Sequence, residues 1–285
     1  MKPSKKINQA LAFLALRLSA LLMIAALGGI LFFVLSRGVR NVTWEFLTSM
    51  PKNGMTEGGI LPAIVGTFCL VVGAVVVSVP LGVLSAIYTT EYARQGLLIR
   101  IIRMATSNLA GVPSVVFGLF GMALFVKGLG FGPSILAGSL TLALVALPVV
   151  IRTAEEALKA VPTGLREASL ALGATQWQTI RKVVLPSALS GIMTGAILTV
   201  GRVAGETAPI LFTVAAYFLP RLPQSVLDQV MAMPYHLYVI TTSGTQIEKT
   251  RPLAYATAVV LLAMVLLINL TAILLRRRFR KKVGW

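Results

Sequence analysis

Two charged residues, Arg202 and Glu206, lie four positions apart inside a stretch that is otherwise apolar and long enough to cross a membrane. In a helix this spacing places both side chains on one face. A charged side chain at bilayer depth costs about 2.5–3.5 kcal/mol, so such residues normally face the interior of a helix bundle or a water-filled pathway. The planar guanidinium of arginine matches the oxygens of phosphate-like anions. Arg202 is therefore a candidate anion-binding residue, and Glu206 would either hold the guanidinium or compete with the anion for it.

The alternative is that the two residues form only a structural ion pair within the helix. The two interpretations are compatible, because an ion pair can also brace a pathway. The neighbouring residues predict a break in the helix: Gly205, Thr207 and Pro209 are poor choices for an ordinary spanning helix but suit locally irregular backbone and close helix approach. Thr207 lies at this predicted break and is the third candidate pathway residue.

A polar segment, residues 161–183, precedes this stretch and predicts two short helices joined at a glycine corner. Pro162 suits the first turn of a helix, where its missing N–H would be unpaired anyway. Gly173 sits where a left-handed C-terminal cap is expected. Thr175 and Gln178 have the spacing of a capping box, which predicts that the second helix begins there. A compact hairpin of this kind can transmit a displacement, whereas a flexible loop cannot.

Sequence motifs of catalysis are missing from the chain. It has no Gly-x-x-x-x-Gly-Lys-Ser/Thr phosphate loop, no nucleophilic set of Ser, His and Asp, and no paired catalytic carboxylates. The single histidine, His236, has no cluster of cysteines or carboxylates at ligand spacing, and the single cysteine, Cys69, is a packing residue in an apolar run. We therefore expect no catalytic residue, no metal and no cofactor, so energy for transport must come from a partner protein or an ion gradient.

The composition is that of an integral membrane protein. Of the 285 residues, 56% are hydrophobic, and the mean hydropathy is +0.86. The formal charge of +17 could suggest nucleic-acid binding, but the basic residues lie at the edges of apolar runs and are not interleaved with aromatic residues on one face. The sequence thus predicts an all-α polytopic membrane protein that contacts lipids and binds no nucleic acid.

Six apolar segments reach the length of a membrane span, which is about twenty residues. The fifth is longer than one crossing requires, which again predicts a break, within Gly205 to Pro209. In the third, Gly118 and Gly121 would let neighbouring backbones approach closely. A short amphipathic helix is expected at 226–231, in the polar loop after the fifth span. The six predicted spans are residues 11–35, 60–88, 104–126, 134–151, 184–218 and 253–275.

Lysine and arginine are distributed unevenly about these spans. With both termini on one side, 18 basic residues fall on that side, 7 fall on the opposite side, and Arg202 lies within the membrane. The positive-inside rule then predicts that both termini and the 161–183 hairpin are cytoplasmic. The strongly basic tail, residues 276–285, is expected to contact anionic lipids.

The hairpin carries a pattern that resembles the EAA signature of ABC importer permeases: Glu-Ala-Ala, three residues, Gly, nine residues, then Ile-x-Leu-Pro. The chain departs from it mildly, with Ser169 for an alanine and Val183 for the isoleucine. The resemblance implies that the hairpin couples the permease to a separate ATP-hydrolysing subunit; the alternative is a merely amphipathic surface hairpin. The implied coupling residues are Glu167, Ala168, Ser169, Gly173, Leu185 and Pro186.

The run 201–209, Gly-Arg-Val-Ala-Gly-Glu-Thr-Ala-Pro, resembles the permeases of high-affinity phosphate importers, and its ending favours the PstA type over the PstC type. The resemblance covers residues 60–275 and implies the type I ABC importer permease fold (MetI-like), with phosphate translocated by alternating access. Arg202, Glu206 and Thr207 would then line the substrate pathway. Residues 1–59 would form the N-terminal tail, first transmembrane helix and outer loop, and residues 276–285 the basic cytoplasmic tail.

The resemblance also implies partners and a location. The partners would be a second permease subunit (PstC-like), two copies of an ATP-binding subunit (PstB-like) and an extracytoplasmic phosphate-binding protein (PstS-like), and the location the inner membrane of a bacterial cell. From the residues alone three alternatives stay open. They are a permease for another oxyanion such as sulfate or molybdate, a secondary transporter driven by an ion gradient, and a structural or sensory membrane protein.

Overall fold

The computed structural model describes residues 3–94, 96–243 and 247–283, and this part of the chain is mostly helical. Residues 1–2 of the basic N-terminal segment and residues 284–285 of the basic C-terminal tail lie outside the described residues. In the described part, five helices are long and apolar enough to cross a membrane, and two shorter helices that meet at a bend of 102° would together make a sixth span. The all-α prediction is confirmed.

Twelve helices follow one another in the described part of the chain. They are α1 (Pro3–Gly38), α2 (Trp44–Thr48), α3 (Leu61–Ile87), α4 (Leu97–Leu109), α5 (Ser114–Gly121), α6 (Ile135–Lys159), α7 (Thr163–Ala171), α8 (Gln176–Thr179), α9 (Leu185–Gly205), α10 (Ala208–Thr213), α11 (Met233–Thr242) and α12 (Ile247–Val283). π-Helical segments follow α3 (Tyr88–Tyr92), α5 (Met122–Gly128) and α8 (Ile180–Val184). Two strands, β1 (Pro51–Lys52) and β2 (Glu57–Gly58), pair antiparallel between α2 and α3.

The third predicted span, 104–126, is not one continuous helix. α4 ends at Leu109 and α5 begins at Ser114, with the 102° bend between them. Pro113 stands at the bend in an extended conformation (φ −57°, ψ 138°). A proline has no N–H to donate to the helix and disfavours helical backbone in the residue before it, which is the physical reason for the break.

The fifth predicted span breaks where the sequence indicates, because α9 ends at Gly205 and α10 begins at Ala208. The amphipathic helix expected at 226–231 is wrong, since that segment is irregular and Val230 pairs with Ala215 in an isolated β-bridge. α12 continues beyond the predicted end of the sixth span at 275. Arg276, expected in a lipid-contacting tail, donates from Nη1 to Thr194 Oγ1 of α9 at 2.7 Å.

Buried apolar side chains form three clusters, and α3 passes through all of them. Two glycines let α3 approach α6 closely: a Cβ at Gly73 would collide with Ser139, and one at Gly82 with Val150. Between helices in lipid there is no hydrophobic driving force, so close van der Waals packing at small residues stabilises their association instead. The clusters include Phe46, Ile60 and Met233 at one end, Leu70, Leu142, Val203 and Ile210 in the middle, and Ala86, Leu158, Ile180 and Val184 at the end that carries the hairpin.

The loop between α10 and α11 accepts hydrogen bonds from the first turn of α6. The N–H of Ile135 donates to the carbonyl of Asp228 at 2.9 Å. The carboxylate of Asp228 in turn accepts from the backbone N–H groups of Gln224 at 2.8 Å and Ser225 at 3.0 Å. Those bonds, with the one from Gln224 contributing most, hold the pKa of Asp228 below its usual value of 3.8. Because the folded-state pKa is the lower one, this stabilisation is complete above pH 3.8 and is lost as the pH falls through the folded-state value.

We expect Asp228→Ala to open this loop at neutral pH, since two backbone donors lose their acceptor. Tryptic cleavage after Arg221 in isolated membranes should then become several-fold faster than in the wild type. Gln224→Ala is the control, because it keeps the backbone N–H and should leave the rate unchanged. Equal cleavage of the wild type and Asp228→Ala would mean that the carboxylate does not hold the loop.

Candidate functional site

Arg202 and Glu206 meet at the end of α9. The helix ends at Gly205, so that Glu206 already has an extended backbone (φ −72°, ψ 126°) and the pair forms across the helix terminus rather than along one helical face. Arg202 Nε lies 3.5 Å from Glu206 Oε1, and the two side chains are 40% and 16% exposed. This single long contact lacks the bidentate geometry of a strong arginine–carboxylate pair.

The guanidinium of Arg202 keeps most of its donors available. Across the described ranges, its only hydrogen bond is the one from Nε to Glu206, so both Nη groups are unpaired. A Cβ built on Gly205 would meet no atom within 4 Å, which shows that this chain leaves open space beside the helix end. The arrangement can therefore present a planar pair of N–H donors to an anion without first breaking a strong internal ion pair.

The break after Glu206 packs against the other bent helix. The backbone carbonyl of Thr207 accepts the N–H of Leu211 at 3.2 Å and so starts α10. A Cβ at Gly118 of α5 would lie 2.9 Å from the carbonyl oxygen of Ala208 in α10. The close approach expected at Gly118 is thus confirmed. Irregular backbone at membrane depth is tolerated only where protein buries it or where it lines a water-filled cavity.

The hairpin at 161–183 has the predicted form of helix, glycine corner and helix. Gly173 adopts the left-handed conformation with φ +81°. Both bonds of the capping box form: Thr175 Oγ1 accepts from the N–H of Gln178 at 3.2 Å, and Gln178 Oε1 accepts from the N–H of Thr175 at 2.9 Å. Pro162 differs slightly from the prediction, because it precedes α7 instead of occupying its first turn.

The residues of the EAA-like pattern divide into exposed and packed positions. Glu167 and Ala168 are exposed on α7, whereas Ser169 Oγ lies 2.9 Å from Thr179 Oγ1 and joins α7 to the end of α8. The corner also exposes apolar side chains: Leu172 is 89% exposed and Trp177 52%. Leu185 and Pro186 are half-buried in the first turn of α9, so they connect the hairpin to the helix that carries Arg202.

An ion pair that the sequence did not indicate anchors this hairpin. Arg166 of α7 contacts both carboxylate oxygens of Glu91, with Nη2 2.9 Å from Oε1 and Nε 3.3 Å from Oε2. Glu91 lies in the π-helical segment after α3, 75 residues away in sequence. No local spacing rule links residues so far apart, and only the tertiary fold brings them together.

A second carboxylate, Glu155 of α6, lies buried nearby. Thr89 Oγ1 donates to Glu155 Oε1 at 2.7 Å, and Lys159 Nζ lies 3.3 Å from Oε2. Arg103 of α4 is 3.7 Å from the same oxygen. Lys159 lies four residues further along the same helix, but Thr89 and Arg103 come from two other elements, and only the tertiary fold brings them to Glu155.

The described residues contain no group of three or more His, Cys, Asp or Glu side chains placed to hold a metal ion. His236 is buried in α11, and burial lowers its pKa to about 4, so the imidazole is neutral at pH 7.

Fold and site together define a class: a multi-pass helical membrane permease with a charged pair at a broken helix and a rigid hairpin at one end of the bundle. The chain belongs to the family of binding-protein-dependent transport system inner membrane components, whose model matches residues 78–285. It is thus one component of a transport system that depends on a binding protein.

Relatives and solved structures agree with this assignment. The chain is 34% identical to the probable ABC transporter permease protein YqgI of Bacillus subtilis, over 98% of this chain and 99% of YqgI. It is 40% identical to the phosphate transport system permease protein PstA 1 of Mycobacterium tuberculosis, over 77% of this chain and 71% of that protein. A chain of a bacterial alginate ABC transporter superposes over 98% of both chains with a TM-score of 0.69 at 14% identity. The predicted ABC importer permease fold is confirmed.

Proposed function

We propose that this chain is the membrane-spanning permease subunit of an ATP-driven importer of inorganic phosphate. The observation that carries the proposal is the arginine at the break between α9 and α10, whose two Nη groups are unpaired within the described residues. Relatives named for phosphate transport match this chain, one of them, the phosphate transport system permease protein PstA of Mycobacterium leprae, at 42% identity. Phosphate suits such a site, because its oxygens accept bidentate hydrogen bonds from a guanidinium.

In this proposal Arg202 attracts the anion to the broken helix, and Glu206 regulates how tightly it is held. Glu206 is close enough to draw the guanidinium back when the anion leaves, since the two side chains already touch at 3.5 Å. Thr207 supplies a hydroxyl at the same break. Transport proceeds by alternating access, in which the helices rock about this site while the anion passes from one side to the other.

Energy for the movement enters at the hairpin in the same proposal. The exposed residues of α7 and the glycine corner meet an ATP-binding subunit, and Leu185 and Pro186 pass the displacement to α9. The residues that take part are Glu167, Ala168, Ser169, Gly173, Leu185 and Pro186. Exposed Leu172 and Trp177 supply the apolar surface that such a contact needs.

The orientation and partners follow from the same assignment. Both termini and the hairpin face the cytoplasm of a bacterial cell, since 18 of the 26 basic residues then lie inside. The complex holds a PstC-like permease, two PstB-like ATP-binding subunits and a PstS-like phosphate-binding protein. Residues 1–59 form the first span and its flanks, residues 60–275 the permease domain, and residues 276–285 the basic end of the chain.

The test is reconstitution of the four-component complex in proteoliposomes with ATP inside and labelled anions outside. Uptake of phosphate that needs ATP and exceeds uptake of sulfate and molybdate supports the proposal. Preference for sulfate or molybdate assigns the chain to another oxyanion. Equal phosphate uptake by this permease without the ATP-binding subunit contradicts an ATP-driven importer and favours a gradient-driven transporter.

A further inference from the structure

We infer that the π-helical segment Tyr88–Tyr92 is the junction that passes displacement of the 161–183 hairpin into the helix bundle, and that Glu91 is the positioning residue at its centre. This inference rests on the proposed function, because it concerns how the hairpin drives the permease. The conventional connection is covalent, through the chain on either side of the hairpin. The side-chain contacts add a second connection, to a helix that is not adjacent to the hairpin in sequence.

Arg166 fixes α7 to two other elements at once. It holds the carboxylate of Glu91 in a bidentate contact, and the two side chains are 20% and 10% exposed. The same guanidinium donates from Nη1 to the carbonyl of Val161 at 2.6 Å and from Nη2 to that of Leu158 at 2.8 Å. The carbonyl of Leu158 lies in the last turn of α6, where helix acceptors lack a partner further along the helix, and that of Val161 lies just after the helix ends. A guanidinium bound in this way fixes the orientation of α7 as well as its distance from its partners.

The second arm of the hairpin reaches the same residue. Gln176 Nε2 of α8 donates to the backbone carbonyl of Glu91, with the two atoms 2.6 Å apart. Below these polar contacts, Ala86 and Ile87 of α3 pack in one buried cluster with Ile180 and Val184. The hairpin therefore cannot shift relative to the end of α3 without breaking contacts of both its arms.

The junction continues into the bent helix. Thr89, two residues before Glu91, donates to buried Glu155 at 2.7 Å, and its carbonyl accepts from Arg103 Nη2 of α4 at 3.5 Å. α4 leads through the 102° bend into α5, which packs at Gly118 against α10 directly after the Arg202–Glu206 pair. A continuous series of contacts therefore connects the hairpin to the candidate anion site. A measured energetic coupling between the two would establish that this series transmits the displacement.

The π-helical geometry suits a junction. A π-helical turn is rare, and such turns are often found at functional sites, because the widened turn relaxes the regular hydrogen-bond ladder of the helix. The segment Tyr88–Tyr92 stands between the long, tightly packed α3 and the start of α4. It can change its pitch locally while α3 remains intact.

The test compares Glu91→Gln with Glu156→Gln in the complete reconstituted importer. Glu156 is exposed on α6 next to Glu155 and forms no ion pair in the part of the chain that the structure describes, so it is the matched control. The quantity measured is phosphate imported per ATP hydrolysed, together with the yield of assembled complex. We expect Glu91→Gln to lower this ratio about five- to tenfold, a typical size for coupling between sites. Complex yield should stay unchanged, and Glu156→Gln should match the wild type.

A merely structural role is separated from coupling by a double-mutant cycle. Arg166→Gln should lower the ratio at least as far as Glu91→Gln does, because it also removes the bonds to the carbonyls of Val161 and Leu158. The double variant should be no worse than Arg166→Gln alone, because the ion pair can be lost only once. Additive losses, or an unchanged ratio in Glu91→Gln, would overturn the inference. If Glu91→Gln does not assemble, Gln176→Ala removes only the contact to the Glu91 carbonyl, and an unchanged ratio in that variant overturns it equally.

Transport by the wild-type complex distinguishes failure of the proposed function from failure of the inference about the junction. If it imports no phosphate, the proposed function fails, and the ratio is measured with the anion that it does import. If it imports phosphate with ATP and Glu91→Gln does so with the same ratio, only the inference about the junction fails.

Discussion

Replacing Arg202 with alanine is expected to reduce ATP-dependent phosphate uptake by about a hundredfold or more while the complex still assembles. The variant removes the two unpaired Nη donors at the break between α9 and α10. Hydrogen bonds to a charged group contribute about 1.5–3 kcal/mol each, so losing two of them accounts for an effect of this size. The side chain is 40% exposed and its contact with Glu206 is long, so little packing is lost and folding should survive. The measurement is initial uptake in proteoliposomes at equal complex content.

Two further variants sharpen this result. Arg202→Lys keeps the positive charge but loses the planar fork, so we expect an intermediate loss of roughly tenfold. Arg221→Ala removes an exposed arginine from the loop after α10 and should leave uptake unchanged. If Arg202→Ala transported phosphate normally in a well-assembled complex, Arg202 would have no place in the pathway, and the structural ion pair would be the better interpretation.

The second large effect is expected from Gly173→Asp. Gly173 has φ +81°, and a non-glycine residue in the left-handed region costs about 1–3 kcal/mol. A Cβ there would meet nothing within 4 Å, so the penalty is conformational and no side-chain collision contributes. The glycine corner should change its angle, and the hairpin should no longer match the ATP-binding subunit. We expect transport-linked ATP hydrolysis to fall about tenfold, as a cost of this size implies.

Gly164→Asp is the control for that experiment. It adds the same charge to the same hairpin, also in open space, but Gly164 has no positive φ. The difference between the two variants therefore isolates the backbone conformation of the corner. Unchanged transport-linked ATP hydrolysis and complex yield in Gly173→Asp would argue against docking at this corner. Equal losses in both variants would attribute the effect to charge.

The candidate sites differ in how far the sequence could predict them. Arg202, Glu206 and a break within 205–209 were visible because a charge in an apolar run, and a glycine followed four residues later by a proline, are local signals. The capping box of Thr175 and Gln178 was visible for the same reason. The sequence places the break only within 205–209, so it could not show that Glu206 already lies beyond the end of α9; the exact terminus also depends on how α10 packs against α5.

The two misplaced elements have different causes. The bend before Ser114 was missed because small apolar residues at 104–126 read as one span, although Pro113 disfavours helix on its N-terminal side. The helix expected at 226–231 fails because the backbone there is used for other bonds: the carbonyl of Val226 accepts the N–H of Leu136 in α6. These tertiary hydrogen bonds outweigh the helical pattern of the apolar residues at 226–231.

By itself the sequence determined the membrane class, most of the spans and the form of the hairpin. Hydropathy and capping patterns are local, within about twenty residues, and the basic-residue asymmetry can be counted along the chain. The tertiary structure alone decided what the hairpin holds. Glu91 and Arg166 are 75 residues apart, and Thr89 and Glu155 are 66 apart, so their pairing exists only once α3, α6 and α7 have packed together. Contacts between distant residues depend on the geometry of whole helices, and no local pattern encodes that geometry.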